Sequence, residues 1–282
     1  MRNGNLAGII GWPVSQSLSP VLHGYWLRKH GMKGAYVALP VKPEDFGRAV
    51  SALPLMGFAG ANVTVPHKEA AFALCNVVDE DSRVAGAVNT LIFENGAVRG
   101  MNTDVRGFAA SLAKSLGEDA ARQGPVAVLG AGGAARAVVS ALLRAGAPEI
   151  RLVNRTRKRA EELASLFGAR AKVLRVDDWG DWPKLFSDAA LLVNTTSLGM
   201  TGKPPLEIAL EGLPQNAGVA DIVYNPLETQ LLSVARARGH KTMDGLGMLM
   251  HQAAPAFEAW FKVLPSVTPE LKSVLIEALS GG

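Results

Sequence analysis

The sequence PVAVLGAGGAAR at residues 125–136 decides the fold that we predict for this chain. It begins as a short valine-rich run, which is typical of a buried parallel strand. Glycines then interrupt the run, and the apolar pattern that resumes through Leu143 suits a helix. A strand, a glycine turn and a helix in direct succession predict the first βα unit of an α/β domain with a parallel sheet.

The spacing of small residues in this turn predicts a dinucleotide-binding loop. Gly130 and Gly132, with Ala135 in third place, fit the pattern G-x-G-x-x-A. Gly130 would permit the tight turn, Gly132 would let the backbone approach a pyrophosphate, and Ala135 would let the helix pack close to the strand. The bare amides at such a helix start favour an anion. This pattern alone leaves open a glycine turn without a ligand.

The residues after the next predicted strand, at 149–153, indicate which dinucleotide binds. A site for NAD would place an Asp or Glu here, on the ribose 2′-hydroxyl. The chain has Asn154 followed by a cluster of cations. Arg155 and Arg159 could hold a 2′-phosphate, which a carboxylate would repel. The sequence therefore predicts NADP, in preference to a solvated helix start or a nucleic-acid patch.

The composition narrows the class of protein. With 282 residues, 48% of them hydrophobic, the chain is long enough for two ordinary domains with sizeable cores. The net charge is only +4 and the other cations are spread along the chain, so we predict no nucleic-acid partner. The single cysteine, Cys75, excludes an intrachain disulfide and suits a reducing cytoplasm.

The ends and the apolar runs of the sequence indicate the same compartment. The N-terminus leads straight into a predicted strand, without the features of a signal peptide. No apolar run approaches the roughly 20 residues that span a bilayer. The five histidines show no metal-ligand spacing, and with one cysteine we do not expect a zinc site. We predict a cytoplasmic protein without a membrane partner or a bound metal.

Strand and helix patterns alternate along the chain and predict two α/β domains, with the boundary inside 103–124. Before it we predict strands at 6–11, 35–41 and 58–65, helices at 20–30, 43–56 and 67–74, and a hairpin of 87–93 with 97–101 around an Asn-Gly turn. After it we predict strands at 126–129, 150–153, 171–176, 190–194 and 218–223, and helices at 134–145, 156–167, 227–238, 246–262 and 269–279. The alternation predicts a doubly wound, Rossmann-type parallel sheet in the second domain. Residues 200–212 are predicted only as a loop.

Polar side chains of the first domain concentrate where predicted strands end. They are Ser17, Ser19, Asn62, Thr64, Lys68, Asn89 and Asp104. Singly, each has a structural explanation, and Ser19 followed by Pro20 has the pattern of a helix N-cap. Together they predict a ligand site, because ligands of open α/β sheets bind outside the carboxyl ends of the strands. The cleft between two such domains is the expected place for it.

Several motifs, taken in order, resemble those of one family. They are Ser17–Pro20, Asn62–Lys68, Gly86–Thr90, Asn102–Asp104, Gly130–Arg136, Asn154–Thr156, Asp221–Pro226 and Asp244–Leu249 with Gln252. With these motifs the chain resembles the shikimate dehydrogenase family along essentially its whole length. The resemblance implies reversible, NADP-dependent interconversion of 3-dehydroshikimate and shikimate, a step of aromatic amino-acid biosynthesis. It implies a substrate-binding catalytic domain at 1–105, completed by C-terminal helices at 246–282, and an NADP-binding Rossmann domain at 106–245.

The resemblance also implies a role for each site residue. Lys68 and Asp104 would form the catalytic pair. The substrate carboxylate would be held by Ser17, Ser19 and Tyr224, and the ring hydroxyls by Thr64, Asn89, Asp104 and Gln252. The dinucleotide would be bound by Gly130, Ala131, Gly132, Gly133 and Ala134 of the loop, by Asn154, Arg155, Thr156 and Arg159 at the 2′-phosphate, and by Asn194, Thr195, Thr196, Ser197, Gly245 and Met248 on the nicotinamide side.

The implied catalytic pair suits the chemistry of a secondary alcohol. The alcohol gives up its hydride only as its hydroxyl proton departs, and in reverse the nascent alkoxide must be neutralised. A lysine–aspartate pair can move that proton or stabilise the oxyanion. Because desolvation lowers a lysine pKa and a neighbouring carboxylate raises it, either member could move the proton. Two features are unexpected beside such a site: Trp12 is bulky, and a histidine, His67, directly precedes the lysine.

Two other functions compete with this hypothesis. A relative acting on quinate often prefers NAD and carries an acid after the second strand, where this chain has Asn154. A non-enzymatic NADP(H)-sensing protein would keep Gly130, Gly132 and Arg155. It would have no reason to keep Lys68 with Asp104. For the assembly, both a monomer and a homodimer are open.

Overall fold

The computed structural model describes residues 6–280, and the chain divides into two compact units. The first unit runs to Thr103 and resumes at Leu249, while the second spans Asp104–Met248. Each unit contains one six-stranded sheet. The predicted α/β fold is confirmed. No helix between residues 6 and 280 is long and apolar enough to cross a membrane.

The sheet of the first unit is mixed. Its strands are β1 (Leu6–Gly11), β2 (Ala35–Pro40), β3 (Phe58–Val63), β4 (Val77–Val78), β5 (Thr90–Glu94) and β6 (Ala97–Met101), in the order β2-β1-β3-β5-β6-β4. The helices before Thr103 are α1 (Ser19–Lys29), α2 (Phe46–Ala52), α3 (Lys68–Leu74) and α4 (Glu80–Ala85). Helix α5 (Thr103–Leu116) begins at the last residue of this segment and otherwise belongs to the second unit. Strand β1 is parallel to β2 and β3, whereas β5 is antiparallel to β3 and β6. The hairpin turn has positive φ at Asn95 and Gly96, as its Asn-Gly sequence predicts.

The long helix predicted at 43–56 is wrong. A 3₁₀ turn at Pro43–Asp45 precedes α2, and a second one follows at Pro54–Met56. Pro54 has no N–H to continue the hydrogen-bond ladder, so the α-helix ends at Ala52. The hairpin also begins later than predicted, at Thr90, because Gly86 ends α4 in the left-handed conformation just before it.

The second unit has an all-parallel sheet in doubly wound order. Its strands are β7 (Val126–Leu129), β8 (Ile150–Val153), β9 (Leu174–Asp177), β10 (Leu191–Asn194), β11 (Gly218–Asp221) and β12 (Thr242–Met243), in the order β12-β11-β10-β7-β8-β9. Its helices after α5 are α6 (Gly133–Ala145), α7 (Arg157–Ser165), α8 (Trp182–Phe186) and α9 (Gln230–Ala237), and the chain ends with α10 (Gly245–Phe261) and α11 (Pro269–Ser280). This strand order is that of the dinucleotide-binding fold, in which the first strand along the chain, here β7, lies in the middle of the sheet.

The loop between β10 and β11 packs as part of the second core. Residues 195–217 form no helix or strand, as predicted for 200–212. Leu206, Leu210 and Leu213 are nevertheless buried in one cluster with Phe186 and Leu231. These leucines cover the sheet where a crossover helix would otherwise lie.

Gly60 gives a test of packing in the first unit. The Trp260 indole Nε1 donates to Leu91 O at 2.8 Å directly over Gly60, and a Cβ at this position would collide with both atoms. Gly60→Ala should therefore lower the free energy of unfolding by about 2–4 kcal/mol through overpacking and a broken hydrogen bond. Urea unfolding followed by circular dichroism measures it. Gly47→Ala is the matched control: it lies in α2 with no atom near its Cβ, so it should stabilise by about 0.5–1 kcal/mol. Equal shifts for both variants would contradict the packing argument.

Candidate active site

The carboxyl ends of β1 and β3 lie side by side in the first unit. The Thr64 amide donates to Ile10 O at 2.9 Å, which extends the pairing of the two strands by one residue. Gly11 ends β1, and a Cβ there would lie 2.5 Å from Thr64 Cγ2. The loop after β1, which carries Ser17 and Ser19, and the segment Thr64–Lys68 therefore leave the sheet at neighbouring points.

Ser17 lies in the loop after β1, as predicted, but Ser19 has a different position from the one that we predict. Ser19 is the first residue of α1, and the N-cap is Leu18, without a side-chain cap. The prediction that Ser19 caps the helix is therefore wrong. Its amide instead donates to Ser17 Oγ at 3.2 Å, so the hydroxyl of Ser17 partly satisfies the helix start. Ser19 itself is buried.

Lys68 begins α3 and is partly exposed. The residue before it, His67, is buried at the N-cap position, with Nε2 2.8 Å from Val41 O and its ring stacked on Phe46 at 4.8 Å. These contacts hold the backbone from which Lys68 projects. Trp12 is 44% exposed, with the Lys42 ammonium 5.8 Å from its ring centroid, so much of its bulk faces solvent.

Asn89 and Gln252, far apart in the sequence, meet in a buried cluster. Asn89 Nδ2 lies 3.4 Å from Gln252 Oε1 and 3.0 Å from Thr103 Oγ1. The Thr103 hydroxyl is 3.3 Å from Gln252 Oε1, and the Thr103 amide donates to Asn89 Oδ1 at 2.8 Å. Gln252 Nε2 donates to Leu249 O at 3.0 Å. Two amides are thereby held with defined donor and acceptor directions, as recognition of a hydroxylated ring requires.

Sequence reasoning missed the part that Thr103 plays in this cluster. It lies within the motif Asn102–Asp104, where the sequence suggests for it only a helix cap. The signal in the sequence is the motif itself, in which the hydroxyl residue Thr103 lies between two polar residues. In the structure Thr103 is buried. The next residue, Asp104, is the second residue of α5 and is buried in the second unit.

The glycine loop of the second unit fits a phosphate group. Gly130 has φ of +109°, and a Cβ there would lie 2.5 Å from Thr195 Oγ1. Gly132 is the N-cap of α6 with no side-chain cap, and a Cβ there would meet no atom within 4 Å. The first-turn amides of a 13-residue helix therefore face open space that a pyrophosphate could enter. Ala131, Gly133 and Ala134 line this turn and are partly exposed.

The cations after β8 fall into two groups. Arg157 pairs with Glu161 at 2.9 Å and with Asp178 at 2.6 Å, and donates to Val176 O. For Arg155 and Arg159, which are exposed, no ion pair occurs among residues 6–280. Asn154 Nδ2 donates to Thr156 O at 2.9 Å and shapes the turn, while the Thr156 hydroxyl does not cap α7. The turn thus presents two guanidinium groups and a hydroxyl, which suit a phosphate monoester.

Asn194 ends β10, and its side-chain amide builds the turn at residues 195–197. Asn194 Oδ1 accepts from the Thr196 amide at 3.0 Å and from its hydroxyl at 2.8 Å. Thr195 is buried with its hydroxyl on Leu129 O at 2.6 Å, so it joins β10 to β7. Thr196 is partly exposed and Ser197 is exposed. Only these last two are available to a ligand.

Gly245 and Met248 begin α10 in the second unit. A Cβ on Gly245 would collide with Ile222 O, and the Gly245 amide donates to Val223 O at 3.2 Å. Glycine is therefore required by the close approach of α10 to the segment that carries Tyr224, which is partly exposed. Met248 is buried, with little of its side chain exposed.

Asp221, at the end of β11, is a buried carboxylate that three uncharged donors hold in place. It accepts from Asn194 Nδ2 at 3.0 Å, from the Val223 amide at 3.0 Å and from the Thr229 hydroxyl at 2.8 Å. Burial raises the pKa of Asp221 to about 6, and the hydrogen bonds only partly oppose that rise. The carboxylate ties together the turns after β10 and β11 and the start of α9.

Comparisons with known proteins agree across the chain. The family model of the shikimate dehydrogenase substrate binding domain matches residues 9–91, and that of shikimate / quinate 5-dehydrogenase matches residues 111–197. A shikimate dehydrogenase (NADP(+)) from Rhodospirillum rubrum is 52% identical over 273 residues, which cover 96% of each protein. Another, from Paracoccus denitrificans, is 49% identical over 98% of this chain and 97% of its own. The crystal structure of shikimate 5-dehydrogenase from Thermus thermophilus with NADP(H) and shikimate is 36% identical, covers 98% of both chains and has a TM-score of 0.84.

The raised pKa of Asp221 predicts a specific pH dependence of stability. Between the ordinary pKa of 3.8 and the folded value of about 6, the folded state binds more protons than the unfolded state, so stability falls as pH rises through this window. Asp221→Asn removes the buried charge and keeps an acceptor oxygen. Its melting temperature relative to the parent should therefore increase from about pH 4 to about pH 7 and then level off. Asp221→Leu leaves the three donors unpaired and should destabilise at every pH. Differential scanning calorimetry at a series of pH values measures both, and a constant Asn–parent difference would contradict the assignment.

Proposed function

The chain belongs to the shikimate dehydrogenase family, and on that premise we propose how its residues divide the reaction. The protein catalyses the reversible, NADP-dependent reduction of 3-dehydroshikimate to shikimate in aromatic amino-acid biosynthesis. We assign substrate binding and catalysis to the unit that ends at Thr103 and resumes at Leu249, and NADP binding to the unit Asp104–Met248.

The observation that carries the substrate assignment is the buried cluster around Asn89. Segments 163 residues apart bring the Asn89 and Gln252 amides together, and the hydroxyl of Thr103 orients both. Such a cluster costs desolvation and adds little to stability, so a polar ligand explains it better than packing does. We assign ring hydroxyls to Thr64, Asn89, Asp104 and Gln252, and the substrate carboxylate to Ser17, Ser19 and Tyr224.

Lys68 and Asp104 are the proposed catalytic residues. When bound, the dinucleotide supplies or accepts the hydride. As the substrate carbonyl becomes an alcohol, its oxygen gains negative charge, and the Lys68 ammonium can stabilise that charge and deliver a proton to the oxygen. In the reverse direction Asp104 can accept the hydroxyl proton, directly or through Lys68. Purified protein mixed with shikimate and NADP⁺ tests the function: the absorbance of the reduced cofactor should rise.

NADP selection is assigned to the turn after β8. Arg155 and Arg159 are proposed to pair with the 2′-phosphate, with Asn154 and Thr156 beside them. Gly130, Ala131, Gly132, Gly133 and Ala134 are assigned to the pyrophosphate, and Thr196, Ser197, Gly245 and Met248 to the nicotinamide side. Asn154, in place of an acid, argues against an NAD-preferring relative. A purely sensing protein would not need Lys68.

We propose the cytoplasm as the compartment, because the chain's single cysteine, Cys75, fits a reducing environment. Burial raises the pKa of the Cys75 thiol to about 11, which also makes it a poor nucleophile. The assembly, a monomer or a homodimer, stays a prediction that light scattering can decide.

Arg155 gives the first test of these assignments. Arg155→Ala should weaken NADP⁺ binding by about tenfold or more, since it removes a charge-assisted hydrogen bond, and leave NAD⁺ binding nearly unchanged. Isothermal titration calorimetry with both cofactors measures this. Arg157→Ala is the matched control, because Arg157 is engaged by Glu161 and Asp178; both affinities should stay at the parental values. Equal losses of NADP⁺ and NAD⁺ affinity in Arg155→Ala would place Arg155 in the fold or in the common half of the nucleotide site.

Lys68 gives the second test of these assignments. Lys68→Met keeps the length of the side chain and removes its charge, so kcat should fall by about a hundredfold or more. The KM for shikimate should change only a few-fold, because the lost interaction is strongest in the transition state. Lys114→Met, at an exposed position near the end of α5, should leave kcat unchanged. A kcat within tenfold of the parent would remove Lys68 from the reaction, and a large fall in melting temperature would indicate a structural role.

A further inference from the structure

A chain of hydrogen bonds runs through the first unit from the edge strand β2 to Asn89. The Tyr36 hydroxyl donates to Asn62 Oδ1 at 2.7 Å, and Asn62 Nδ2 lies 3.0 Å from Thr90 Oγ1. The Thr90 hydroxyl in turn donates to Asn89 Oδ1 at 3.0 Å. All four side chains are buried, Thr90 completely. This hydrogen-bond chain joins three strands and ends on a residue assigned to the substrate.

Each bond in the hydrogen-bond chain has one direction. Asn62 Nδ2 also donates to the backbone carbonyl of Asn89 at 3.1 Å, and a carbonyl can only accept. Asn62 Nδ2 must therefore face β5 and its Oδ1 must face Tyr36, which has to donate. Because Thr90 Oγ1 accepts from Asn62, the Thr90 proton is available for donation, and Asn89 Oδ1 at 3.0 Å is a closer acceptor than Thr103 Oγ1 at 3.4 Å. The Asn89 amide is thus oriented with its Nδ2 towards Thr103 and Gln252.

The start of the hydrogen-bond chain lies among aromatic rings. The His23 ring stacks on the Tyr36 ring with centroids 4.1 Å apart. The centroid of the Trp260 ring lies 5.9 Å from that of Tyr36. Burial lowers the pKa of His23 to about 3, so this neighbour is neutral in the working range. The Ser19 hydroxyl also hydrogen-bonds Tyr36. Water cannot easily replace a lost partner in such surroundings, so removal of one group disturbs the next.

We propose that Tyr36 and Thr90 are positioning residues, which set the side-chain amide of Asn89 through Asn62 and thereby the affinity for the substrate ring. The inference rests on the proposed contact between Asn89 and the substrate. Buried polar networks stabilise little in comparison with apolar packing, but they fix one arrangement of their members. Here the fixed member is the one that faces the substrate.

Steady-state kinetics of three variants tests the proposal. Thr90→Val keeps the shape and removes the donor to Asn89, so the KM for shikimate should rise by about tenfold while kcat stays within about twofold, because the Asn89 contact is present in both ground and transition states. Tyr36→Phe acts two bonds further away and should raise this KM by about threefold. In the double variant the rise in KM should be well below the product of the two single effects, since the part of the Tyr36 effect that runs through Asn62 is already lost in Thr90→Val. The KM for NADP⁺ should not change in any of them.

Two matched controls separate positioning from stability. Thr90→Ser keeps the hydroxyl and should restore the parental KM. Tyr25→Phe removes a phenol hydroxyl that is bonded only weakly at the surface of α1, by Lys29 Nζ at 3.3 Å, and should change nothing. In ¹⁵N-correlated spectra the side-chain amide signals of Asn62 and Asn89 should shift in Thr90→Val and Tyr36→Phe but not in these controls.

The proposal is overturned by an unchanged KM in Thr90→Val, by multiplicative effects in the double variant, or by a lower melting temperature without any shift of the amide signals. A parent protein that fails to reduce NADP⁺ with shikimate would instead refute the proposed function. In that event the amide signals alone decide whether the hydrogen-bond chain sets Asn89, because they require no turnover.

Discussion

The hydrogen bond from the Thr103 amide to Asn89 Oδ1, 2.8 Å long, is the constraint on which the buried polar cluster of the first unit depends. The backbone of Asn89 forms hydrogen bonds as well: its N–H donates to Met101 O, and its backbone carbonyl accepts from the Val63 N–H. One residue therefore ties together β3, the hairpin and the start of α5. A polar side chain can do this in a core only if every donor and acceptor finds a partner, and here the partners come from distant segments. The same hydrogen bonds that satisfy the side chain of Asn89 also fix its orientation. The side chain therefore takes its final orientation when the unit folds.

In the second unit, a charged residue, Asp221, connects distant segments through buried hydrogen bonds. Asp221 joins the turns after β10 and β11, as Asn89 joins the strands of the first unit, but burial penalises its ionised form and raises its pKa. Both residues lie at the ends of sheet segments, where backbone groups run out of partners and ligands of α/β folds bind. An amide holds its place at every pH, whereas a carboxylate makes stability depend on pH. Around Asp221 the second unit therefore depends on pH in a way that the Asn89 cluster of the first unit does not.

Local patterns were sufficient to predict some elements from the sequence but not others. The predicted bounds of β7 and β8 match the structure. β7 is a continuous apolar run, which is typical of a strand buried on both faces, and β8 keeps this pattern except at the buried Arg151, which pairs with Glu149 and Asp188. Short elements such as β4, β12 and α8 were missed, because two to five residues carry no periodicity. The motifs also named the candidate site residues, but they could not show which ones meet. That Thr103 lies between Asn89 and Gln252 follows from the course of the chain, and no local signal contains it.

The arginines after β8 show why composition alone cannot identify a phosphate site. Arg155, Arg157 and Arg159 belong to one basic run of the sequence, yet Arg157 is neutralised by Asp178, which lies beyond the following strand. A paired guanidinium adds little field at a distance, because its partner cancels it and solvent screens the remainder. The selectivity of the turn is therefore set as much by where the acids lie as by where the arginines lie. Glu161 and Asp178 engage Arg157 and leave the other two arginines, Arg155 and Arg159, without an ion pair among residues 6–280, which supports the proposal that these two hold the phosphate.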